Sequence, residues 1–368
     1  MATASPRILS LATAVPPFHY RQEDVHALAR RVFAERDLGD RRLLAVFEHT
    51  SVGSRNLCVP LEWFERTHSF GEKNDLYIQH AFELAKRVTS TALDHALLAP
   101  HQIDHVIFVS TTGLATPTID ARLANAFGFR PDVRRTPLWG LGCAGGAAGI
   151  ARAAEFARAA PESHTLVVVV ELCSLAFQPD DDAKLTTVSA SLFSDGAAAA
   201  IVAGPLAWRA PTPLARLGRG LTLDILGAQS TLWTDSLDVM GWRVDERGLH
   251  VVMKREIPAA VSAWVKPALV GFLKQHDLGL SDISHFLMHP GGARVLDAVA
   301  EGLGLPEQAF ELSRSVLHDY GNMSSPTCLF VLRRLLDASG FRPGERGLMT
   351  AMGPGFSAES VLLQAVAP

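Results

Sequence analysis

Cysteine is scarce in this chain: four residues in 368, Cys58, Cys143, Cys173 and Cys328, with no metal-ligand spacing between any two. That excludes a zinc ribbon or a disulfide framework and suits a reducing, cytoplasmic setting. Charge of one sign is lacking too. Lys and Arg total 34 against 38 Asp and Glu, scattered among one another, so the chain offers no footprint for nucleic acid. No apolar run reaches the roughly 20 residues a membrane span needs. Met1–Pro17 has no basic segment followed by a signal-type apolar core. What is present is a globular composition, 48% hydrophobic and 20% charged. The length allows one large domain or two of about 150–200 residues.

Strand and helix patterns alternate along the chain. Arg7–Ala14, Asp104–Thr112, the four-valine run in Thr165–Glu171, Gly196–Ala203, Ile283–Met288, Gly347–Met352 and Glu359–Val366 read as strands. Gln22–Arg36, Arg41–His49, Asn74–Leu97, Ala144–Ala160, Ile257–Lys274 and Ser325–Ala338 read as helices. The alternation predicts an α/β fold with a mostly parallel sheet. Pro205–Arg247, richer in Pro, Gly, Trp and turn residues, reads as the joint between two halves, 1–205 and 206–368.

In Thr136–Ile150 a short apolar run meets a glycine-rich turn and then an Ala-rich helical pattern, with Cys143 at the junction. A thiol there faces the unpaired N–H groups and positive end of a helix, which favour thiolate. Two other readings compete. A buried cysteine beside a helix also serves as a small core residue. Gly140, Gly142 and Gly145 spell G-x-G-x-x-G, with Glu171 ending a later strand, as in a dinucleotide-binding oxidoreductase. The mid-chain position and the cysteine in the turn weigh against that fingerprint.

An internal repeat points to a site. Val-Ile-Phe-Val-Ser110-Thr-Thr-Gly113 resembles Phe-Leu-Met-His289-Pro-Gly-Gly292, and Ser110 and Cys143 stand 33 positions apart, as do His289 and Asn322. Cys143 and Asn322 each follow a glycine and precede a helix. Two related halves packed on a pseudo-twofold axis would bring Cys143, His289 and Asn322 together. Singly, His289 reads as a loop histidine and Asn322 as a turn residue. Together they suit acyl transfer. A cysteine accepts an acyl group from a thioester with nearly balanced energetics, and imidazole can pair with its thiolate. A malonyl thioester that loses CO2 leaves an enolate, which a histidine N–H and an asparagine amide can hold as neutral donors.

At these residues the chain resembles the thiolase superfamily, and within it the type III polyketide synthases, from about Arg7 to Ala365. The specific stretches are Trp-Gly-Leu-Gly-Cys143-Ala-Gly-Gly, Ser-Leu-Phe193-Ser-Asp-Gly-Ala, Met-His289-Pro-Gly-Gly, Gly-Asn322-Met-Ser-Ser and Met-Gly353-Pro354-Gly355-Phe-Ser-Ala-Glu359. The resemblance implies a thiolase-like fold, two pseudo-symmetric βαβ halves in an αβαβα layering. It makes Cys143 the nucleophile, His289 and Asn322 the decarboxylation and condensation pair, and Phe193 a gate to the CoA tunnel. Gly353, Pro354 and Gly355 would shape a cyclisation cavity. It implies acyl-CoA and malonyl-CoA as substrates, no metal or other cofactor, and a homodimer.

The departures from the plant pattern are small residues where gate and wall residues are expected: Val251 for a second gate Phe, Ala176 for Thr, with Cys173 nearby. Thr116 takes the place of a Met that reaches across the dimer. Arg41, Arg42 and Arg55 are the arginines available for CoA. A roomier pocket resembles the bacterial alkylpyrone and alkylresorcinol synthases, which implies a fatty acyl starter and two or three malonyl extensions. The rivals are a single-condensation β-ketoacyl-acyl-carrier-protein synthase III, a hydroxymethylglutaryl-CoA synthase, for which no catalytic Glu is in place, and a non-catalytic acyl-binding or dimer-partner protein.

Overall fold

The computed structural model describes residues 5–34, 44–178, 183–208, 221–254, 257–338 and 340–367. Its strands are β1 (Arg7–Ala14), β2 (Phe18–Arg21), β3 (Ser54–Leu57), β4 (His105–Val109), β5 (Arg134–Leu138), β6 (His164–Leu172), β7 (Asp195–Ala203), β8 (Thr222–Leu232), β9 (Met240–Asp245), β10 (Gly248–Met253), β11 (His285–Met288), β12 (Arg346–Gly353) and β13 (Ser357–Val366). Its helices are α1 (Gln22–Ala34), α2 (Phe70–Ala96), α3 (Ile119–Phe127), α4 (Gly145–Ala159), α5 (Ala183–Leu192), α6 (Ile257–Lys274), α7 (Ala293–Leu303), α8 (Glu311–Tyr320) and α9 (Thr327–Asp337).

Nine strands are hydrogen-bonded in the order β11-β12-β13-β8-β1-β7-β6-β4-β5. Read outward from the β1–β8 contact, the two directions match. On one side β1 is antiparallel to β7, β7 is antiparallel to β6, and β6 is parallel to β4. On the other, β8 is antiparallel to β13, β13 is antiparallel to β12, and β12 is parallel to β11. This is the repeat seen in the sequence, with β4 answering to β11. The sheet is mixed rather than mostly parallel. β12 and β13 are joined by a turn of three residues, a connection only antiparallel neighbours can make.

The layering follows from period-two alternation. Val106, Phe108, Val168 and Val170 pack outward with Tyr77, Leu84 and Val88 of α2. Ile107, Val109, Val167 and Val169 pack inward with α4 and α9. In the second half, Leu287, Met349 and Val361 face that same inner layer, whereas Phe286, Met288 and Leu348 face α6 and α7. The strands are covered on both faces, which is why they read as unbroken apolar runs. α4 touches strands of both halves. Its composition, Gly-Gly-Ala-Ala-Gly-Ile-Ala-Arg-Ala-Ala, lets a helix fit between two sheets.

The expected joint at Pro205–Arg247 is only partly loop. Residues 209–220 lie outside the described residues, but Thr222–Leu232 is a full strand of the main sheet and Met240–Asp245 is half of a hairpin with β10. Within β8 the alternation of Leu223 and Ile225, both buried, with half-buried Asp224 and Leu226 was hidden among turn-forming residues. Of the expected helix at Arg41–His49, Ala45–Glu48 is a single 3₁₀ turn, and 41–43 fall outside the described residues.

Candidate active site

Cys143 sits in a 3₁₀ turn, Gly142–Ala144, between β5 and α4. Gly142 has φ +47°, and a Cβ there would stand 2.7 Å from Cδ of Pro354. The β12–β13 turn therefore lies directly on the Cys143 turn, and glycine is required on both counts. A Cβ on Gly146 would run into the Ser325 carbonyl oxygen, so α4 also meets the segment that carries Asn322 at backbone distance. His289 follows β11, its N–H donating to the Thr350 carbonyl at 2.9 Å. Asn322 follows α8. Its N–H donates to Leu192 O at 2.9 Å and its carbonyl accepts from Ser194 N–H at 2.9 Å, so Asn322 and Phe193 pair like a fragment of sheet. The Asn322 amide is oriented by Ser324 N–H, which donates to Oδ1 at 2.7 Å, and by its own Nδ2, 3.3 Å from the Gly291 carbonyl. Cys143, His289 and Asn322 all line one cavity of about 650 Å³.

Burial dominates the electrostatics. It pushes the Cys143 thiol up to about 11, despite a contact with Ser324 Oγ at 3.4 Å, and drives His289 down to about 3. Both His289 ring nitrogens are buried with no hydrogen-bond partner among the described residues. The site thus holds a neutral thiol and a neutral imidazole at pH 7, not the expected thiolate. Desolvation outweighs what a helix N-terminus offers. Glu171, fully buried at the end of β6, is raised to about 7 by burial. It accepts from Thr111 N–H at 2.9 Å, Thr112 Oγ1 at 2.8 Å and Ser325 Oγ at 2.8 Å. It joins the two halves behind the cysteine and is not exposed to hold a ribose, which removes the dinucleotide reading.

Residues 6–205 match the family model for the N-terminal domain of chalcone and stilbene synthases, and residues 224–367 match the model for their C-terminal domain. The chain belongs to the chalcone and stilbene synthase family. It is 42% identical over 360 residues to a putative chalcone synthase of Bacillus subtilis, covering 96% of this chain and 97% of that one. It is 38% identical to the 1,3,6,8-tetrahydroxynaphthalene synthase of Streptomyces peucetius, covering 97% and 92% respectively. The crystal structure of the Streptomyces coelicolor tetrahydroxynaphthalene synthase, a bacterial type III polyketide synthase, superimposes with a TM-score of 0.90 at 32% identity, covering 98% of this chain and 100% of the other. The protein is a type III polyketide synthase, an acyltransferase-type condensing enzyme with the thiolase-like layered fold.

The other pocket residues of this synthase divide by where the fold puts them. Phe193, Cys173 and Val251 form a wall shared by the main cavity and a second, smaller pocket of about 80 Å³. Ala176 lines only the second pocket, and Pro354 only the first. Gly353 and Gly355 line neither. They serve the turn, Gly355 at φ +137° and Gly353 pressed on the Leu141 carbonyl. Thr116 is exposed in the turn before α3 and lines neither of these two pockets. Arg41 and Arg42 lie outside the described residues. Thr111, Ser324, Trp242, Met352 and Phe356 line the main cavity and went unread in the sequence. Ser324 stood beside the Gly-Asn322 motif, and Thr111 at the end of a strand; Trp242 carried no signal.

Arg55 is a correction. It is 2% exposed and cannot meet a CoA phosphate. Its guanidinium donates to the carbonyls of Ala190 at 2.5 Å, Ser191 at 2.7 Å and Phe193 at 3.0 Å, and to Gln22 Oε1. It therefore satisfies the last carbonyls of α5 and holds the backbone of Phe193. Burial lowers it to about 9, so it stays charged at neutral pH. Arg55→Met leaves these buried acceptors unpaired and is expected to cost on the order of 3 kcal/mol of stability, seen as a lower Tm. An unchanged Tm with weaker acyl-CoA binding would return Arg55 to the ligand.

Proposed function

We propose that this synthase takes a fatty acyl group from its CoA thioester onto Cys143, extends it with malonyl-CoA two or three times, and releases an alkylpyrone or alkylresorcinol. The observation that supports a fatty starter is the second pocket. Val25, Leu28, Val32, Leu61 and Phe64 line it, and it meets the main cavity at Cys173, Phe193 and Val251. Each methylene moved from water into such walls gains about 0.8 kcal/mol. Among the described residues, the only charged side chain on its wall is Arg55, which is committed to carbonyls.

In this reading the Cys143 sulfur attacks the thioester carbonyl. Its proton passes through His289 to the departing CoA sulfur. Malonyl-CoA then loses CO2, and the enolate oxygen is held by a His289 N–H and by Asn322 Nδ2–H. The enolate carbon attacks the acyl carbonyl, and the Cys143 thiolate leaves, ready for the next round. Each step is an acyl transfer or a decarboxylation, so neither metal nor redox cofactor enters. The working form in this reading is a cytoplasmic homodimer.

A second reading has support in the relatives, since several are named for tetrahydroxynaphthalene. There the product is a fused aromatic polyketide with no alkyl chain, which leaves no place for a fatty starter. Mass spectrometry of the protein with dodecanoyl-CoA, then malonyl-CoA, separates the readings. A dodecanoyl adduct on Cys143 followed by an alkylpyrone or alkylresorcinol is expected, and Ala176→Phe should suppress it. Refusal of dodecanoyl-CoA with turnover of malonyl-CoA favours the aromatic product. A requirement for acyl carrier protein points to single condensation.

A further inference from the structure

Ser324 has no role in the scheme above, yet three observations single it out. Its hydroxyl stands 3.4 Å from Cys143 Sγ. Its backbone N–H fixes Asn322 Oδ1 at 2.7 Å, which leaves the amide N–H groups for the Gly291 carbonyl and the sulfur. Its backbone is left-handed, φ +59°, a conformation that glycine adopts freely and other residues at a cost. A glycine would relieve that strain and keep the backbone N–H. What glycine lacks is the hydroxyl, and the hydroxyl faces the cavity beside the sulfur. Strain kept at a reacting atom points to function.

We infer that Ser324 is a further catalytic residue, whose O–H donates to the Cys143 sulfur as it becomes thiolate and whose N–H sets the Asn322 amide for the enolate. The inference rests on Cys143 being the nucleophile. When the thiol proton moves to His289, the Ser324 O–H turns toward the sulfur and holds the negative charge. On acylation the charge is gone and the hydrogen bond is released. No atom is gained or lost. The titratable groups facing the sulfur are Glu171 at the end of β6, Cys173 just beyond it, Cys328 on α9, and His289 across the cavity. Burial and the Glu171 carboxylate push the thiol up, and the Ser324 contact opposes them.

The test is the pH dependence of iodoacetamide alkylation at Cys143, followed by peptide mass mapping, in wild type, Ser324→Ala and Ser324→Gly. Loss of one hydrogen bond to a charged sulfur should raise the midpoint by about one pH unit in both variants and slow alkylation at neutral pH about tenfold. Ser324→Gly keeps the test alive if the alanine variant does not fold, because glycine suits the left-handed backbone. Wild-type profiles in both variants would overturn the inference. So would a shift in the alanine variant alone, which would assign the effect to backbone strain. Acyl-CoA loading of the wild-type protein is read separately. If Cys143 alkylates but never takes an acyl group, the nucleophile reading fails while the Ser324 effect on the thiol still stands or falls by itself.

Discussion

Cys143→Ala is expected to abolish acyl loading outright: no mass adduct with any acyl-CoA and no released product. Decarboxylation of malonyl-CoA should survive in part. The reason is the division of labour between the halves. The sulfur sits on the turn after β5, whereas the groups assigned to the enolate come from the end of β11 and the segment after α8. The variant should fold. The turn rests on Gly142 and on the Ala144 N–H donating to Leu141 O at 3.1 Å, neither of which needs the sulfur. Intact mass and CO2 release measure the two activities on one sample. An adduct that persists would shift the nucleophile to Cys173, the other thiol on the cavity wall, although burial drives that thiol well above its ordinary range. Loss of both activities together would deny that His289 and Asn322 act independently of the sulfur.

Asn322→Ala is expected to slow decarboxylation by about 10²–10³, the range for losing one oxyanion donor. Measured as CO2 release in the Cys143→Ala background, the rate reports the enolate step alone, free of loading and condensation. The backbone bonds from Asn322 to Leu192 and Ser194 do not involve the side chain, so the pairing with Phe193 should persist. The substitution does strand the Ser324 N–H, which loses its Oδ1 acceptor, and some loss of Tm is expected with it. Asn322→Asp keeps the acceptor and replaces the donor with a carboxylate. It should restore Tm but not the rate, because a negative group faces the developing oxyanion. A full rate in the alanine variant would take Asn322 out of the chemistry.

Much of this molecule was written locally. The valine run, the Ala-rich helix and the strand–helix alternation follow from period and composition, and those survive any packing. The 33-residue spacing shared by Ser110 with Cys143 and His289 with Asn322 announced two related halves, because in each a strand ends just before the first residue and a helix follows the second. Cys143, His289 and Asn322 were therefore legible before any fold was in hand. What the sequence could not carry is whatever depends on the far side of a contact. Arg55 looked like a surface cation for CoA, and only its burial under α5 makes it a ligand of carbonyls. Thr116 stands where the resemblance puts a residue that reaches across a dimer and is exposed in its own chain, so what it meets depends on a partner. The alternation of strands and helices predicts a mostly parallel sheet and the fold is mixed, because strand direction is set by partners, not by composition. The thiolate expected at Cys143 gives way to a neutral thiol for the same reason. A helix N-terminus is visible in a sequence, whereas the desolvation that outweighs it comes from residues drawn in from both halves. The chain by itself determined which groups stand as candidates for the chemistry. Tertiary packing decided their charge, their reach and the shape of the space they share, since burial and distance exist only once the two halves meet.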